Sequence, residues 1–194
     1  MKALLVISSL LFSVAFAKTE KWQIDQAHSK VVFEIPHLVI STVEGSFKSF
    51  KGDIHFDEKN LKAKDFSTQV EIDASSISTE NEKRDQHLRS PDFFDVKKYP
   101  KLTFKSSSFS VKGKNIKIQG KLTLHGVTKE VILKGKYLGS VMAYDVKRIV
   151  LKAETEINRK DFGLKWNDFV EAGPAVGDEV AIRLRIEAKR VADL

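Results

Sequence analysis

One short polar segment, residues 81–90, carries the side chains best suited to contact a polar ligand group. It contains no glycine or proline and precedes a proline, which predicts a short helix that ends there. A helix places Asn81, Arg84 and Asp85 on one side, with His87 one turn further on. Arg84 is suited to a phosphate, or to a carbonyl through a charge-assisted hydrogen bond. We therefore predict that this segment binds the polar group of a ligand, and we call this the head-group site. The alternative is that Arg84 and Asp85 form structural pairs between the helix and the rest of the fold.

A second candidate group lies in the irregular segment before the last predicted strand. It contains Phe162 and Trp166, with Asn167 beside them. We predict that the two aromatic residues line the entrance of a binding site and that Asn167 contributes to the polar head-group site. Exposed aromatic loop residues also suit docking on a membrane surface. The alternative is a plug that packs under a loop.

The residue pattern predicts neither a catalytic site nor a metal site. The chain has no cysteine nucleophile, no Gly-x-Ser-x-Gly turn and no phosphate-binding glycine loop. Asp25, His28 and Ser29 are so close along one predicted strand that mutual contact is expected to be poor. A zinc site needs three or four converging ligands. The histidines are instead scattered over different predicted strands and loops: His28, His37, His55, His87 and His125.

The elements that position these groups are β-strands, because apolar and polar residues alternate between turn-marking glycines. Eight segments show this alternation: 22–35, 43–57, 66–77, 101–111, 115–124, 127–138, 145–157 and 180–189. Long strands, one polar face and no crossover helices predict an all-β fold. We expect an eight-stranded antiparallel β-barrel that is lipocalin-like, with the short helix (about 81–90) at one mouth. Residues 36–40 are expected to form a helical turn or a loop between the first two strands.

The inward-facing positions alternate between large and very small side chains. An eight-stranded barrel is just wide enough to be filled by side chains or to hold one small ligand. Small inward residues favour a long, narrow, apolar cavity; the alternative is that they accommodate large neighbours across the barrel. The residues predicted to line the cavity are Phe33, Ile35, Phe104, Gly120, Leu122, Leu133, Gly135, Tyr137, Ile149, Leu151, Phe162, Trp166 and Leu184.

The first 17 residues predict export. Lys2, an apolar run to Val14 and the small residues Ala15 and Ala17 have the pattern of a secretory signal peptide cleaved after Ala17. The alternative, a membrane anchor, needs a longer run of about 20 apolar residues. We expect residues 18–194 to form a single mature domain in the periplasm or secreted medium. Without cysteine, its stability must come from its core alone.

The formal net charge of +7 is spread along the chain rather than clustered. This excess favours transient contact with an anionic membrane surface. Nucleic-acid binding would need basic residues interleaved with exposed aromatic residues, and no such patch is evident. We therefore expect no nucleic-acid partner.

Several motifs, ordered along the chain, resemble the YceI family of bacterial lipid-binding proteins. The central block, from Ser76-Ile77-x-Thr79-x-Asn81 through Arg84-Asp85-x-His87-Leu88, is the most specific. The other matching motifs are Trp22-x-Ile24-Asp25-x-x-His28-Ser29, Val43-x-Gly45-x-Phe47-x-x-Phe50-x-Gly52, Gly120-x-Leu122-Thr123-Leu124-His125-Gly126 and Asp161-Phe162-Gly163-Leu164.

The resemblance implies a lipocalin-like barrel that holds a polyisoprenoid or a similar long amphiphile without covalent attachment. It also makes a homodimer plausible. The residue pattern by itself supports only a long apolar guest, so isoprenoid quinones, prenyl phosphates and fatty amides stay open. Two rival functions also stay open. One is a periplasmic enzyme acting on a prenyl lipid through Asp85 or His87, and the other is a stress or interaction protein with a filled barrel.

Overall fold

The computed structural model of the protein describes residues 19–58, 61, 66–171 and 173–191. The predicted signal peptide, residues 1–17, lies outside the described residues. In the described part of the chain, no helix is long and apolar enough to cross a membrane. In chain order, the elements are β1 (Glu20–Ile24), β2 (Lys30–His37), β3 (Ser41–Phe47), β4 (Phe50–Phe56), β5 (Ser67–Asp73), β6 (Ile77–Ser78), α1 (Glu82–Arg89), β7 (Lys101–Lys112), β8 (Asn115–Leu124), β9 (Val127–Ala143), β10 (Val146–Asn158), β11 (Phe169–Val170), β12 (Gly173–Pro174) and β13 (Glu179–Arg190).

The prediction of an eight-stranded antiparallel barrel is confirmed. One sheet runs β1-β4-β5-β7-β8-β9-β10-β13, and β13 pairs back with β1 to close the ring. Every pairing around this ring is antiparallel. The predicted helix is also confirmed as α1, which begins after Asn81 and ends before Ser90.

Three segments that we predicted as single strands are each divided in two. A 3-10 turn at Gln26–His28 separates β1 from β2, and another at Ala74–Ser76 separates β5 from β6. Residues 48 and 49 separate β3 from β4. Because of the first break, β1 pairs with the C-terminal part of β13, and β2 pairs with its N-terminal part. In the segment expected to be a loop, β2 continues to His37 before the turn at residues 38–40.

We call the half of the barrel that carries α1 the upper half. There the sheet does not continue from β13 to β1 but from β13 to β2, β3 and β6. Among the described residues, no strand pairs with the other side of β6, so β6 forms an unpaired edge of the sheet, which we call the seam. Helix α1 and the residues after it cover this seam. Arg89 donates to the carbonyls of Ser75 and Ile77 at 2.9 Å, and the ring of Phe94 packs 5.8 Å from that of Phe47.

The lower end of the barrel is filled with aromatic side chains. Trp22 is fully buried and stacks on Phe56 with ring centroids 5.5 Å apart, and Phe56 also contacts Tyr137. Beside them, Phe66 stacks on Phe109 at 4.2 Å. We call these five rings the floor. Because large rings fill this end, any open space must lie above them, toward α1.

Candidate binding cavity

A cavity of about 360 Å³ lies inside the barrel above the floor. Its wall is formed by inward-facing residues of the barrel strands and, at the top, by α1 and the loops around it. Along β13 the wall extends from Val180 to Ile186, which spans about 20 Å at the rise of a strand. The volume falls within the range of ordinary small-molecule sites, roughly 300–1,000 Å³. The cavity is therefore long, and it fits an elongated guest better than a compact one.

The wall is almost entirely apolar. Eight of the residues predicted to line it do so: Phe33, Ile35, Phe104, Leu122, Leu133, Leu151, Trp166 and Leu184. The polar members of the wall are His37, Thr68, Thr79, Arg84, His87, Thr155 and Arg159. Most of these polar residues belong to elements at the α1 end, which we call the mouth. The site thus has an apolar shaft and a polar mouth.

Two glycines predicted to line the cavity lie outside its wall. A Cβ atom on Gly120 would come within 2.4 Å of the Phe104 ring, and one on Gly135 would come within 1.8 Å of the Lys152 carbonyl oxygen. Gly120 therefore makes room for the Phe104 ring and for the Lys105 carbonyl, whose oxygen would lie 2.6 Å from the added Cβ atom, and Gly135 makes room for the backbone of the adjacent strand. This differs from the prediction, because here the small residues accommodate protein neighbours rather than a guest.

Three further predicted lining residues are also outside the wall. Ile149 is fully buried, and Phe162 is buried in the 3-10 turn Arg159–Phe162, where its carbonyl lies 3.3 Å from Nδ1 of His125. Tyr137 belongs to the floor, where its hydroxyl donates to Glu58 at 3.4 Å. Burial and the nearby carboxylate of Glu58 raise the pKa of Tyr137 to about 12. These residues pack the barrel rather than contact its cavity.

Arg84 is the predicted head-group residue that most clearly reaches the cavity. Its Nε donates to Oγ1 of Thr79 at 2.7 Å, and its Nη2 donates to the Thr79 carbonyl at 2.8 Å. No residue in the described ranges accepts a hydrogen bond from Nη1 or forms an ion pair with this guanidinium. Arg84 is thus held in position on one side while its remaining donors are available to a ligand.

Asp85 and Asn81 support Arg84 but do not themselves line the cavity. Asp85 is buried, and its Oδ1 accepts from the backbone N–H of Thr79 at 2.8 Å and from its hydroxyl at 2.6 Å. The side chain of Asn81 caps α1 by accepting from the N–H of Arg84 at 3.0 Å. Asn81 therefore stabilises the start of the helix, and Asp85 holds Thr79 in place. For Asp85, this agrees with the alternative that it forms a structural pair.

His87 joins the two sides of the mouth. Its ring lies 5.1 Å from Phe93 and 5.0 Å from Trp166, and its Nε2 is 2.9 Å from Oδ2 of Asp92. His87, Phe93 and Trp166 all line the cavity. Because Trp166 lies in the connection between β10 and β13, this aromatic group links that connection to α1 and covers part of the opening.

Asn167 is occupied by the protein itself. Its Nδ2 donates to the carbonyl of Val176 at 2.8 Å, and its Oδ1 accepts from the N–H of Val176 at 3.0 Å. This pairing resembles one rung of a β-ladder and joins the two ends of the β11–β12 hairpin. Asn167 lies outside the cavity wall, which differs from its predicted head-group role.

Sequence reasoning missed Arg159, which organises the same connection. The side chain is buried and donates to the carbonyls of Gly177 at 2.7 Å, Leu164 at 2.6 Å and Trp166 at 2.8 Å. Burial lowers the pKa of the Arg159 guanidinium, and the charge of Asp178 opposes this effect. In the sequence, Arg159 is a single basic residue between the predicted strand 145–157 and the non-periodic motif Asp161-Phe162-Gly163-Leu164, and neither feature indicates a buried role.

On the outer face, Asp25 and His28 make the contact that the sequence argued against. Nδ1 of His28 lies 3.0 Å from Oδ2 of Asp25, because the 3-10 turn between them folds the chain back. Ser29 does not extend this pair into a triad, since its hydroxyl donates to the Glu187 carbonyl at 3.1 Å. The Asp–His contact therefore lacks a nucleophile within the group.

Asp25, His28 and Glu187 also place three possible metal-ligand atoms within 4.8 Å of one another. Two cations already neutralise this group. Nζ of Lys189 lies 2.7 Å from Asp25, and Nη1 of Arg148 lies 3.0 Å from Asp25 and 2.8 Å from Glu187. The hydrogen bond from Lys189, together with those from His28 and Arg148, outweighs burial and holds the pKa of Asp25 well below its usual range. The charges of this cluster are therefore paired with one another. They connect the turn between β1 and β2 to β10 and β13.

Comparisons with known proteins agree with this architecture. Residues 22–188 match the YceI-like domain family. The chain is 40% identical over 186 residues to Protein YceI of Escherichia coli O157:H7, covering 94% of each chain. It also superposes on the crystal structure of Burkholderia cenocepacia BcnA with a TM-score of 0.74 and 26% identity, covering 84% of this chain and 98% of that one.

A third similar structure is a polyisoprenoid binding domain from Saccharophagus degradans. Its TM-score is 0.66 at 15% identity, and the match covers 88% of this chain and 98% of that domain. At this identity, the likeness concerns the fold alone. The match to the family over nearly the whole described barrel, together with the 40% identity to its members, establishes that this chain belongs to the YceI-like family.

Proposed function

We propose that this protein binds a long-chain amphiphile inside its barrel and acts as a carrier or reservoir for it. The observation that carries this proposal is the pairing of a long apolar cavity with one available guanidinium, that of Arg84, at its mouth. Polyisoprenoids, isoprenoid quinones and fatty amides all combine such a chain with a polar end. The description of the Saccharophagus degradans neighbour as a polyisoprenoid binding domain supports the first of these.

The two parts of the cavity have different tasks. Burying an apolar chain is favourable by about 25 cal/mol per Å² relative to water. A lipid that comes from a membrane is already out of water, so its chain gains little from exchange into the barrel. Selectivity among lipids must then come from the length of the shaft and from hydrogen bonds at the mouth. This assigns the choice of head group to Arg84, with His87 beside it.

We further propose that the protein works after export, in the periplasm or outside the cell, as a binding protein rather than an enzyme. The sequence pattern of residues 1–17, which predicts a signal peptide, supports this compartment. The ligand would be held without covalent attachment, and the expected partners are the lipid and, transiently, a membrane surface. Nucleic acid is not an expected partner, and a homodimer stays a prediction that light scattering would test.

The proposal is tested by purifying the protein under native conditions, extracting it with organic solvent and identifying the extract by mass spectrometry. Ala153 is half-buried and lines the cavity, so Ala153→Phe should fill the shaft and remove the guest. Ala153→Ser, which keeps the side chain small, is the matched control. A folded wild-type protein that yields no long-chain lipid, even after incubation with prenyl lipids in detergent, would refute the carrier function. Chemical conversion of an added prenyl lipid, lost in His87→Gln, would instead support an enzyme.

A further inference from the structure

Five apolar residues are exposed in two neighbouring turns at the mouth, and we call them the apolar rim. Leu38, Val39 and Ile40 form the turn between β2 and β3, and Phe169 and Val170 form β11. Ile40 is 92% exposed, Phe169 76% and Val39 60%. Burial of such side chains is strongly favourable, so a contiguous group of them in water usually marks a surface that contacts something else.

The two turns are held together as one surface. The N–H of Leu38 donates to the carbonyl of Ala175 at 3.0 Å, and His37 forms an isolated β-bridge with Val176. A Cβ atom on Gly173 would lie 3.6 Å from Cγ2 of Val39, so the β11–β12 hairpin lies directly beside the β2–β3 turn. The rim is therefore a single patch with a defined position relative to the barrel.

The backbone conformation of the rim indicates that these residues do more than reverse the direction of the chain. Leu38 has φ 51° and Val39 has φ 67°, which are left-handed conformations. Turns of this kind normally use glycine, asparagine or aspartate, and a β-branched residue with positive φ is a true outlier. Here the chain has bulky apolar residues where small polar residues would be less strained and better solvated. Such outliers are typical of functional sites.

The rim is also continuous with the cavity. Its sequence neighbours Pro36 and His37 on one side, and Trp166, Ala175 and Val176 on the other, line the cavity wall. We propose that the apolar rim inserts into the surface of a lipid bilayer, so that a lipid passes between bilayer and barrel without crossing water. This inference rests on the proposed carrier function, because only a guest stored in a membrane requires such a route.

The charges around the rim indicate that the contact is apolar rather than electrostatic. Asp168 and Glu171 flank Phe169 and Val170, and both are exposed. Lys165 is exposed nearby and offsets only part of this negative charge. The rim should therefore bind vesicles of zwitterionic phosphatidylcholine without help from lipid charge, and added salt should change this binding little. The net positive charge of the chain adds a salt-sensitive attraction only to vesicles that contain anionic phosphatidylglycerol.

The opposite end of the barrel provides a matched control. The β9–β10 hairpin carries Val141, Met142 and Tyr144, which are 58%, 65% and 93% exposed but lie far from the mouth. We would compare the rim variant Val39→Ser/Ile40→Ser/Phe169→Ser with the hairpin variant Val141→Ser/Met142→Ser/Tyr144→Ser. Two measurements are needed: flotation with phosphatidylcholine vesicles, and the rate at which a fluorescent prenyl alcohol moves from vesicles into the protein.

The rim variant should lose vesicle binding by roughly a thousandfold, because each of the three replaced side chains contributes about tenfold from apolar burial. Its transfer rate from vesicles should fall similarly, while equilibrium loading from detergent micelles stays unchanged. The hairpin variant should match the wild type. Equal vesicle binding and transfer by all three proteins overturns the docking inference, and so does a wild-type dimer that the rim substitutions dissociate without any vesicle binding. Failure to load from micelles would instead remove the carrier function itself.

Discussion

The role of Arg84 at the mouth leads to a quantitative prediction for Arg84→Gln. In the structure, Thr79 accepts from Nε and Nη2, which leaves Nη1 for a ligand. A hydrogen bond to a charged group contributes about 1.5–3 kcal/mol when its loss is measured by mutation. Removing the guanidinium should therefore weaken binding of a phosphate head group by roughly 10- to 150-fold. The apolar shaft is untouched by the change, so the chain's contribution should persist.

The assay compares two ligands with the same chain, a prenyl phosphate and the corresponding prenyl alcohol, by competition against a fluorescent lipid. The ratio of their dissociation constants isolates the head-group contribution, because contacts with the chain cancel. In Arg84→Gln this ratio should move toward the alcohol by the stated factor, and in Arg84→Lys it should move less, since the charge is kept. Lys83→Gln is the control. Lys83 is exposed on the same helix, and this substitution removes the same charge as Arg84→Gln.

Loss of the two hydrogen bonds to Thr79 should also lower the free energy of unfolding by about 1–3 kcal/mol. Thermal unfolding of each variant therefore accompanies the binding measurements, and only folded protein is compared. An unchanged phosphate-to-alcohol ratio in folded Arg84→Gln would show that the guanidinium does not contact the head group. The argument for selectivity at the mouth would then fail, although lipid binding in the shaft could stand.

The remaining predictions concern stability and its dependence on pH. Gly135→Ala should lower the free energy of unfolding by about 3 kcal/mol or more, because the new methyl group would lie 1.8 Å from the Lys152 carbonyl oxygen. Gly120→Ala should cost about 1–3 kcal/mol, because the Phe104 ring can shift and the Lys105 carbonyl oxygen, at 2.6 Å, has less far to move. Equal urea midpoints for the two variants would contradict this ranking. Arg159→Met should cost at least about 3 kcal/mol by leaving three carbonyls unpaired, and its segment 164–177 should exchange amide hydrogens faster; exposed Lys160→Met is the control. The pKa of Tyr137 is raised from 10.0 to about 12, so the neutral phenol contributes stability that is complete below pH 10 and is lost as the pH rises to 12. In Tyr137→Phe, the free energy of unfolding should fall less steeply between pH 10 and pH 12 than in the wild type. An identical dependence on pH in the two proteins would argue against the raised pKa of Tyr137.

The strands and the helix were predictable because their signals are local. Alternation at Ile116, Ile118 and Leu122 reflects one face of β8 in water and the other in the barrel, and neighbours along the chain suffice to show it. The helix was equally clear, since residues 81–90 contain no glycine or proline and a proline follows Ser90. The parity of the strands also identified part of the aliphatic cavity wall, including Leu133, Leu151 and Leu184.

Features that depend on partners distant in the sequence were not predictable. The break at Gln26–His28 follows from how β1 and β2 share β13, and nothing between Trp22 and Ile35 reports that pairing. The meaning of Gly120 depends on the Phe104 ring across the ladder, so a small residue looked like open space. Arg159 escaped notice for the same reason, because its acceptors are carbonyls that no side-chain pattern reveals.

The seam at β6 has a mechanical consequence. Everywhere else around the barrel, widening the circumference would break interstrand hydrogen bonds. At the seam, no strand ladder within the described ranges continues the sheet, and β6 is instead joined to α1 by the hydrogen bonds that Arg89 donates to the carbonyls of Ser75 and Ile77. An outward shift of α1 would therefore widen the barrel on this side without breaking a strand ladder, while the aromatic floor keeps its diameter.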